Sequence, residues 1–330
     1  MKERVLITGA SGFVGYHLIE AALRKGLDVY AAVRATSKIS HLKALPINFN
    51  YTNFSDREAT RKDLEEKQYD YIIHAAGAVK AHDEIEYNRT NAEFTRTLGI
   101  AIAETQLPLK KFVFISSLAA LGPSYTSDAI TEIHSAKPLT YYGKSKLLAE
   151  HYLSSIPSLP TIVLRPTVVY GPRERDIFII LKSISHGIEP YIGSKAQQLS
   201  FVYVKDLAEI TIDALHSHVT RRSYNVSDGQ CYDRYALADL TKFILQKQTY
   251  KVHIPKSVVQ IMAGMQEVIG NIRGTMPALN RNKIAELTAE NWVCSIDSIS
   301  QDLGYVPRYD LKSGLTETIQ WYKENEWLKN

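Results

Sequence analysis

The sequence predicts an α/β protein, a doubly wound parallel sheet with a smaller C-terminal substrate-binding cap. Three observations predict it. Short apolar runs alternate with longer helical patterns through the first half of the chain. The first of those runs leads at once into a glycine-rich turn and a helix. Beyond Arg165 the alternation gives way to mixed patterns with more turn residues, as a separate cap would require.

The elements follow in order. RVLITG (4–9) reads as a buried strand, and FVGYHLIEAALRKG (13–26) as a helix closed by glycine. DVYAAVR (28–34) is the next strand. YDYIIHAAG (69–77) follows a charged helix, and KFVFISS (111–117) follows a helix from about Asn91 to Gln106. Lys110 and Lys111 read as an exposed helix-to-strand turn. SKLLAEHYL is helical, and TIVLRP (161–166) is a strand that proline ends. FVYVKDLAEITIDALHS (201–217) and SYNVSDG (223–229) read as further pieces of the sheet domain. The expected division is therefore residues 1–169 with about 201–227 for the sheet domain, and 170–200 with 228–330 for the cap.

The bulk numbers exclude other classes. A chain of 330 residues that is 45% hydrophobic and 22% charged is an ordinary globular protein. Its formal charge of +4 is too small to argue for nucleic acid. Two cysteines, Cys231 and Cys294, make no disulfide framework and no C-x-x-C spacing, so a reducing, cytoplasmic setting is expected and no metal site. The N-terminal apolar run is broken by Thr8, Gly9 and Ser11, and reads as a strand rather than a signal peptide. No stretch reaches the roughly 18 apolar residues of a membrane span, so no membrane partner is expected. The apolar segment 257–270 carries Gln260, Gln266 and Glu267 and reads as an amphipathic helix, of the core or a lid in preference to one that lies on a membrane or a partner.

Thr8-Gly9-Ala10-Ser11-Gly12-Phe13-Val14-Gly15 is a T-G-x-x-G-x-x-G turn between a strand and a helix. Such a turn needs glycine for three reasons: a sharp bend, a close backbone approach to a pyrophosphate, and tight strand–helix packing. The helix start then points free N–H groups at the phosphates. Gly9, Ser11, Gly12, Phe13, Val14 and Gly15 are thus candidate dinucleotide-binding residues, and the sheet is of the Rossmann type. Arg34 closes the second strand, where an acid would take the adenosine ribose and an arginine a 2′-phosphate, although an arginine there equally fits a solvated strand end or a stack on adenine. The cofactor is NAD(P), with NADP(H) favoured over NAD(H).

Tyr142 and Lys146, in YGKSK, share one helical face by their i,i+4 spacing. A lysine cation near a phenol stabilises the phenolate, which suits the tyrosine to proton exchange. Tyr141 has no lysine four residues on, so among 20 tyrosines the pair singles out Tyr142. Ser117 ends a strand and is placed to hydrogen-bond the same substrate oxygen.

With TGASGFVG, HAAG (74–77), Asn91, FISSLAALG (114–122), YGKSK and RPTVVYGP (165–172) in this order, the chain resembles the extended short-chain dehydrogenase/reductases, the NAD-dependent epimerase/dehydratase group. FVYVKDLA (201–208) and the ending 303–322 extend the resemblance to almost the whole chain. It implies an enzyme that moves hydride between a secondary alcohol or carbonyl of a small molecule and the nicotinamide. Tyr142 would be the general acid/base, Lys146 would also hold the nicotinamide ribose, and Ser117 would polarise the substrate. Ala75, Ala76, Gly77 and Pro166 would lie along the cofactor. Asn91 would orient a water near Lys146 or, equally, cap a helix. A homodimer through a four-helix interface, using the helices near 91–106 and 142–154, is common in such enzymes.

The chain also departs from the group. Dehydratases carry an Asp-Glu pair where this chain has Leu118 and Ala119, which cannot move protons. Nucleotide-sugar epimerases commonly place Asn and Arg, for the diphosphate, where this chain has Val168 and Leu199. Arg173, Arg175 and Lys195 lie near enough in sequence to stand in. The departures favour the dihydroflavonol-reductase-like and 3β-hydroxysteroid-dehydrogenase-like branch, with Ser117, Val168 and Leu199 as candidate substrate contacts. A nucleotide-sugar epimerase is the runner-up. A non-catalytic NADP-sensing protein is the alternative of another class, and the intact Ser117/Tyr142/Lys146 set speaks against it.

Overall fold

The computed structural model describes residues 2–105, 107–273 and 281–328. Its strands are β1 (Arg4–Thr8), β2 (Asp28–Ala32), β3 (Asn48–Asn50), β4 (Tyr71–His74), β5 (Lys111–Ile115), β6 (Thr161–Pro166), β7 (Val168–Tyr170), β8 (Ile188–Ile192), β9 (Gln198–Leu199), β10 (Phe201–Tyr203), β11 (Arg222–Val226), β12 (Tyr232–Asp233), β13 (Tyr250–Ile254) and β14 (Asn291–Trp292). Helices α1 (Phe13–Arg24), α2 (Arg57–Lys67), α3 (Glu84–Tyr87), α4 (Phe94–Glu104), α5 (Tyr141–Ser154) and α6 (Asp176–Ser185) fall between the earlier strands. They are followed by α7 (Val204–His216), α8 (Ala236–Leu245), α9 (Lys256–Arg273), α10 (Arg281–Leu287), α11 (Asp297–Leu303) and α12 (Leu311–Glu324).

Seven strands form one parallel sheet in the order β3-β2-β1-β4-β5-β6-β11. This is the Rossmann-type doubly wound arrangement. The alternation along β1 shows why both faces are covered. Val5 and Ile7 pack with Leu18 and Ile19 of α1 and Leu207 of α7, whereas Leu6 packs with Leu64, Leu98 and Ala149 of α2, α4 and α5. The winding reverses between β1 and β4, which lie side by side with Thr8 opposite His74. A crevice opens there, outside the C-terminal ends of the strands.

The remaining strands make three small sheets, β7 with β10, β12-β9-β14, and β8 with β13. No helix among the described residues is long and apolar enough to cross a membrane.

Several sequence expectations change. The segment FVY at 201–203 pairs with β7 and not with the seven-stranded sheet, although the helix after it packs on α1. The helix expected from Asn91 starts at Phe94, after one π-helical turn over Asn88–Glu93, and Gln106 lies outside the described residues. Lys111 is not exposed. It is buried at the start of β5, where its Nζ donates to the Val219 carbonyl at 2.5 Å, while Lys110 alone is exposed and pairs with Glu3 and Asp70. β3 was not anticipated, because three residues carry no readable period.

Candidate active site

The glycine turn is shaped by sterics. Gly9 has φ +71°, and a Cβ there would lie 2.6 Å from the Ala75 carbonyl, at the end of the neighbouring strand. A Cβ on Gly15 would meet the Gly9 carbonyl oxygen at 2.2 Å. Gly12 is the N-cap of α1 and offers no capping side chain, and the first turn holds no acidic residue. The Gly12 N–H is taken by the Gly9 carbonyl at 2.9 Å, and the free N–H groups of Phe13 and Val14 form a cradle that fits an anionic pyrophosphate.

Behind the cradle, a buried hydrogen-bond relay joins the strand ends. The Ala76 N–H donates to Thr8 Oγ1 at 3.1 Å, and Thr8 Oγ1 lies 2.7 Å from His74 Nδ1. His74 Nε2 lies 2.9 Å from Thr95 Oγ1, whose hydroxyl donates to the Asn91 carbonyl at 2.6 Å. Since Thr95 has spent its proton, Nε2 donates to it, and in the neutral ring Nδ1 then accepts from Thr8, which fixes one tautomer. Burial, helped by the charge on Lys146, brings its pKa down to about 3, in keeping with that state.

Asn91 is fully buried on the π turn and is no helix cap. Its side chain accepts from the Ala78 N–H at 2.7 Å and donates to the Ala78 carbonyl and to Ser145 Oγ, at 3.0 and 2.9 Å. It therefore clamps the loop after β4, with Ala75, Ala76 and Gly77, to α5. Such π turns recur at functional sites.

α5 carries Tyr142 and Lys146. Thr140 caps its start, and Gly143 allows it to lie against the turn after Ser117, since a Cβ there would meet the Ala119 carbonyl oxygen at 2.3 Å. Lys146 is buried, donates to the Ile115 carbonyl at 2.9 Å and lies over the Phe114 ring. Burial brings its pKa down to about 8, opposed by the pull of Glu150. Burial pushes the Tyr142 phenol up to about 12, while a hydrogen bond with Ser117 works the other way and the charge on Glu286 adds to the rise. One turn below, Glu150 is fixed by Arg165, with Arg165 Nη2 at 2.6 Å from its carboxylate, and by Ser116 Oγ at 2.5 Å. A group able to trade a proton and a buried cation thus sit at the C-terminal end of β5, beside the phosphate cradle.

Other candidates fall around this centre. Arg34 is exposed just past β2, its N–H bonded to Ser37 Oγ. Pro166 ends β6 and pairs with Val226 of β11. Val168 is partly exposed on β7, and Leu199 packs in the cluster that contains Leu118, Leu121 and Trp292. Leu118 and Ala119 are buried, and no acid takes their place. Of the basic stand-ins, Arg173 stacks on Tyr16 and Trp321, Arg175 is exposed, and Lys195 pairs with Glu290.

Sequence reasoning missed His74, Thr95, Ser145, Tyr87 and Glu286. Tyr87 packs edge-on against Tyr142, and Glu286 acts on both rings through its charge. The one available signal was a histidine ending the apolar run YIIH (71–74).

A glycine cradle at the reversal point of a parallel sheet, with a buried lysine and a tyrosine close by, defines a class: NAD(P)-dependent enzymes of the oxidoreductase type. The chain belongs to the NAD dependent epimerase/dehydratase family, whose model matches residues 5–227. It is 25% identical to a UDP-glucose 4-epimerase of Vibrio cholerae, over 97% of this chain and 95% of that one. It is 23% identical to a ceramide reductase of Caulobacter vibrioides, over 98% and 96%. A solved UDP-glucose 4-epimerase of Thermotoga maritima, with UDP-glucose, superposes with a TM-score of 0.81 at 20% identity, covering 98% of this chain and 99% of that one.

Proposed function

We propose that the chain catalyses hydride transfer at a secondary alcohol or carbonyl of a small-molecule substrate, with Tyr142 as general acid/base. The observation that carries this reading is the meeting of Ser117, Tyr142 and Lys146 at the end of β5, beside the glycine cradle. NAD(P), when bound, supplies the hydride exchange at its nicotinamide ring. Tyr142 donates its proton to the substrate oxygen during reduction and takes one during oxidation. Lys146, with a pKa of about 8, is mostly charged at neutral pH, favours the phenolate and meets the nicotinamide ribose. Ser117 orients the substrate oxygen by hydrogen bonding.

Gly9, Ser11, Gly12, Phe13, Val14 and Gly15 take the pyrophosphate, and Arg34 takes the adenosine end and favours NADP(H). Ala75, Ala76, Gly77, Asn91 and Pro166 flank the rest of the cofactor. In this reading residues 1–169 with about 201–227 bind the cofactor, and 170–200 with 228–330 shape the substrate pocket. Val168 and Leu199 are apolar walls, which supports the dihydroflavonol-reductase-like and 3β-hydroxysteroid-dehydrogenase-like branch. The outer faces of α4 and α5, where Arg96 stacks on Tyr152, are the dimer surface. The two free thiols suit a reducing, cytoplasmic setting. A second reading, transient oxidation in a nucleotide-sugar epimerase, draws on the Vibrio cholerae relative.

Removing a positioned acid/base typically costs about 100-fold or more, so Tyr142→Phe should lose at least that much kcat and still bind cofactor. Full activity in that variant would refute the chemistry. Nicotinamide fluorescence titration should show NADPH binding more tightly than NADH, and the reverse order would reject the role given to Arg34. Net turnover of NAD(P)H with a carbonyl substrate separates oxidoreduction from epimerisation, which consumes none.

A further inference from the structure

The two-stranded sheet of the cap is built inside out. β8 and β13 run parallel with Ile188 opposite Tyr250, Pro190 opposite Val252, and Glu189 opposite Lys251. Successive side chains point to opposite faces, so each rung belongs wholly to one face. Of the polar rungs, Glu189 turns inward, while Lys251 and His253 of the facing strand stay exposed. Glu189 is only 1% exposed, ion-paired with Lys242 of α8 at 2.7 Å and hydrogen-bonded by Thr249 and Tyr191. Lys251 lies over the Tyr235 ring, and His253 stacks on Tyr191. The apolar rungs turn outward, with Tyr250 83%, Ile188 49% and Val252 41% exposed. A sheet with one solvated face ordinarily shows the opposite polarity.

At its C-terminal end this apolar face is covered, where Ile192 and Ile254 pack against Val259 and Ala263 of α9 and Ile284 of α10. Nothing among the described residues covers the rest. α9 adds Val258, Ile261 and Met262, all exposed. Charge says what would seat there. Leaving aside Lys251, whose rung lies on the other face, and Lys283, which pairs with Glu286, the chain between 247 and 283 holds Lys247, Lys256, Arg273 and Arg281 against one acid, Glu267. That local excess of three positive charges compares with a formal +4 for the whole chain. Exposed apolar residues flanked by lysines match the boundary between acyl chains and anionic headgroups. A second copy would instead bring two positive segments together.

We propose that this face, the outer side of β8 and β13 with the exposed residues of α9, docks on an anionic bilayer surface. The attachment is peripheral, since no described helix spans a membrane. It departs from the sequence expectation of no membrane partner, which rested on the lack of a spanning segment and placed the 257–270 helix in the core or a lid in preference to a membrane surface. The docking layer also lies next to the catalytic centre. Ile284 packs beneath α9, and two residues on, the charge of Glu286 reaches Tyr142. The docking itself does not depend on the proposed chemistry.

Co-sedimentation of the full chain with vesicles tests it. Vesicles of mixed phosphatidylcholine and phosphatidylglycerol should carry the protein down at low salt, and vesicles of phosphatidylcholine alone, or high salt, should release it. Tyr250→Ser/Ile261→Ser should weaken binding about tenfold or more, and so, separately, should Lys247→Glu/Lys256→Glu. Both variants should keep the wild-type thermal midpoint and NAD(P)H titration, which separates lost docking from lost folding or lost cofactor binding. Absence of vesicle binding, or variants that bind like wild type, overturns the proposal. A dimer seen by light scattering that Tyr250→Ser/Ile261→Ser dissolves, with no vesicle binding, gives the face to a second copy and overturns it as well.

Discussion

His74 shows how a residue outside the proposed chemistry can govern the site. Its ring joins Thr8, beside the phosphate cradle, to Thr95 and through it to the turn that carries Asn91. The folded-state pKa of about 3 lies below the ordinary histidine value near 6.5, so the charged form is disfavoured in the fold. Stability from this group is therefore complete above about pH 6.5 and lost as pH falls toward 3, by about 1 kcal/mol per pH unit. Urea unfolding at pH 7 and pH 5 should show that loss in the wild type. In His74→Gln, which does not titrate, the pH dependence should flatten although the variant is less stable at pH 7. An unchanged slope would mean that His74 is not the titrating group. The sequence showed Gly9, Gly15, Tyr142 and Lys146 because their demands are local: a turn, a spacing, one helical face. It did not show the roles of His74, Asn91 or Glu286, whose partners lie 13 to 66 residues away or, for Glu286, on the far side of the sequence, where one sequence carries no geometry.

Among elements, α5 depends on a contact that only glycine permits. Its first turn lies against the turn after Ser117, and a Cβ at Gly143 would fall 2.3 Å from the Ala119 oxygen. Gly143→Ala should push α5 away and separate Tyr142 from Ser117, even though alanine is the better helix former by about 1 kcal/mol. The expected outcome is a folded protein whose kcat falls by about 100-fold, a misplacement cost, with the KM for cofactor changed far less. A variant of wild-type kcat would mean that the contact does not position the pair. The strands divide in the same way by legibility. β1, β4, β5 and β6 are buried on both faces and read plainly as apolar runs. β8 reads poorly, because its buried residue is Glu189 and its exposed ones are Ile188 and Pro190.

Across the whole molecule, the C-terminal stretch fastens onto α7 and the paired strands β7 and β10. The carboxylate of Asp206, on α7, accepts from the Arg308 and Tyr309 N–H groups at 3.0 Å each, and Lys205 pairs with Glu317 of α12. Leu315, Ile319 and Tyr322 of that helix are buried with Tyr170 and Tyr203. Burying each such side chain stabilises by about 1.5–3 kcal/mol, and three of them rival the roughly 5–15 kcal/mol that holds a domain folded. Ending the chain after Asp310 should therefore abolish cooperative thermal unfolding and cofactor binding together. A truncated chain that still titrates NAD(P)H would show that the sheet domain stands alone.

The sheet order has a consequence for how the molecule comes into being. β11 lies at the sheet edge beside β6, yet it leaves the ribosome only after β7 to β10 and α6 have been made. Six strands can pair as they emerge, but the seventh must come back across an excursion that has already begun another structure. Each added loop residue raises the closure entropy only slowly, so the delay is kinetic more than thermodynamic. Until that strand arrives, β6 is an open edge, and the unfinished chain is most prone to wrong pairing then.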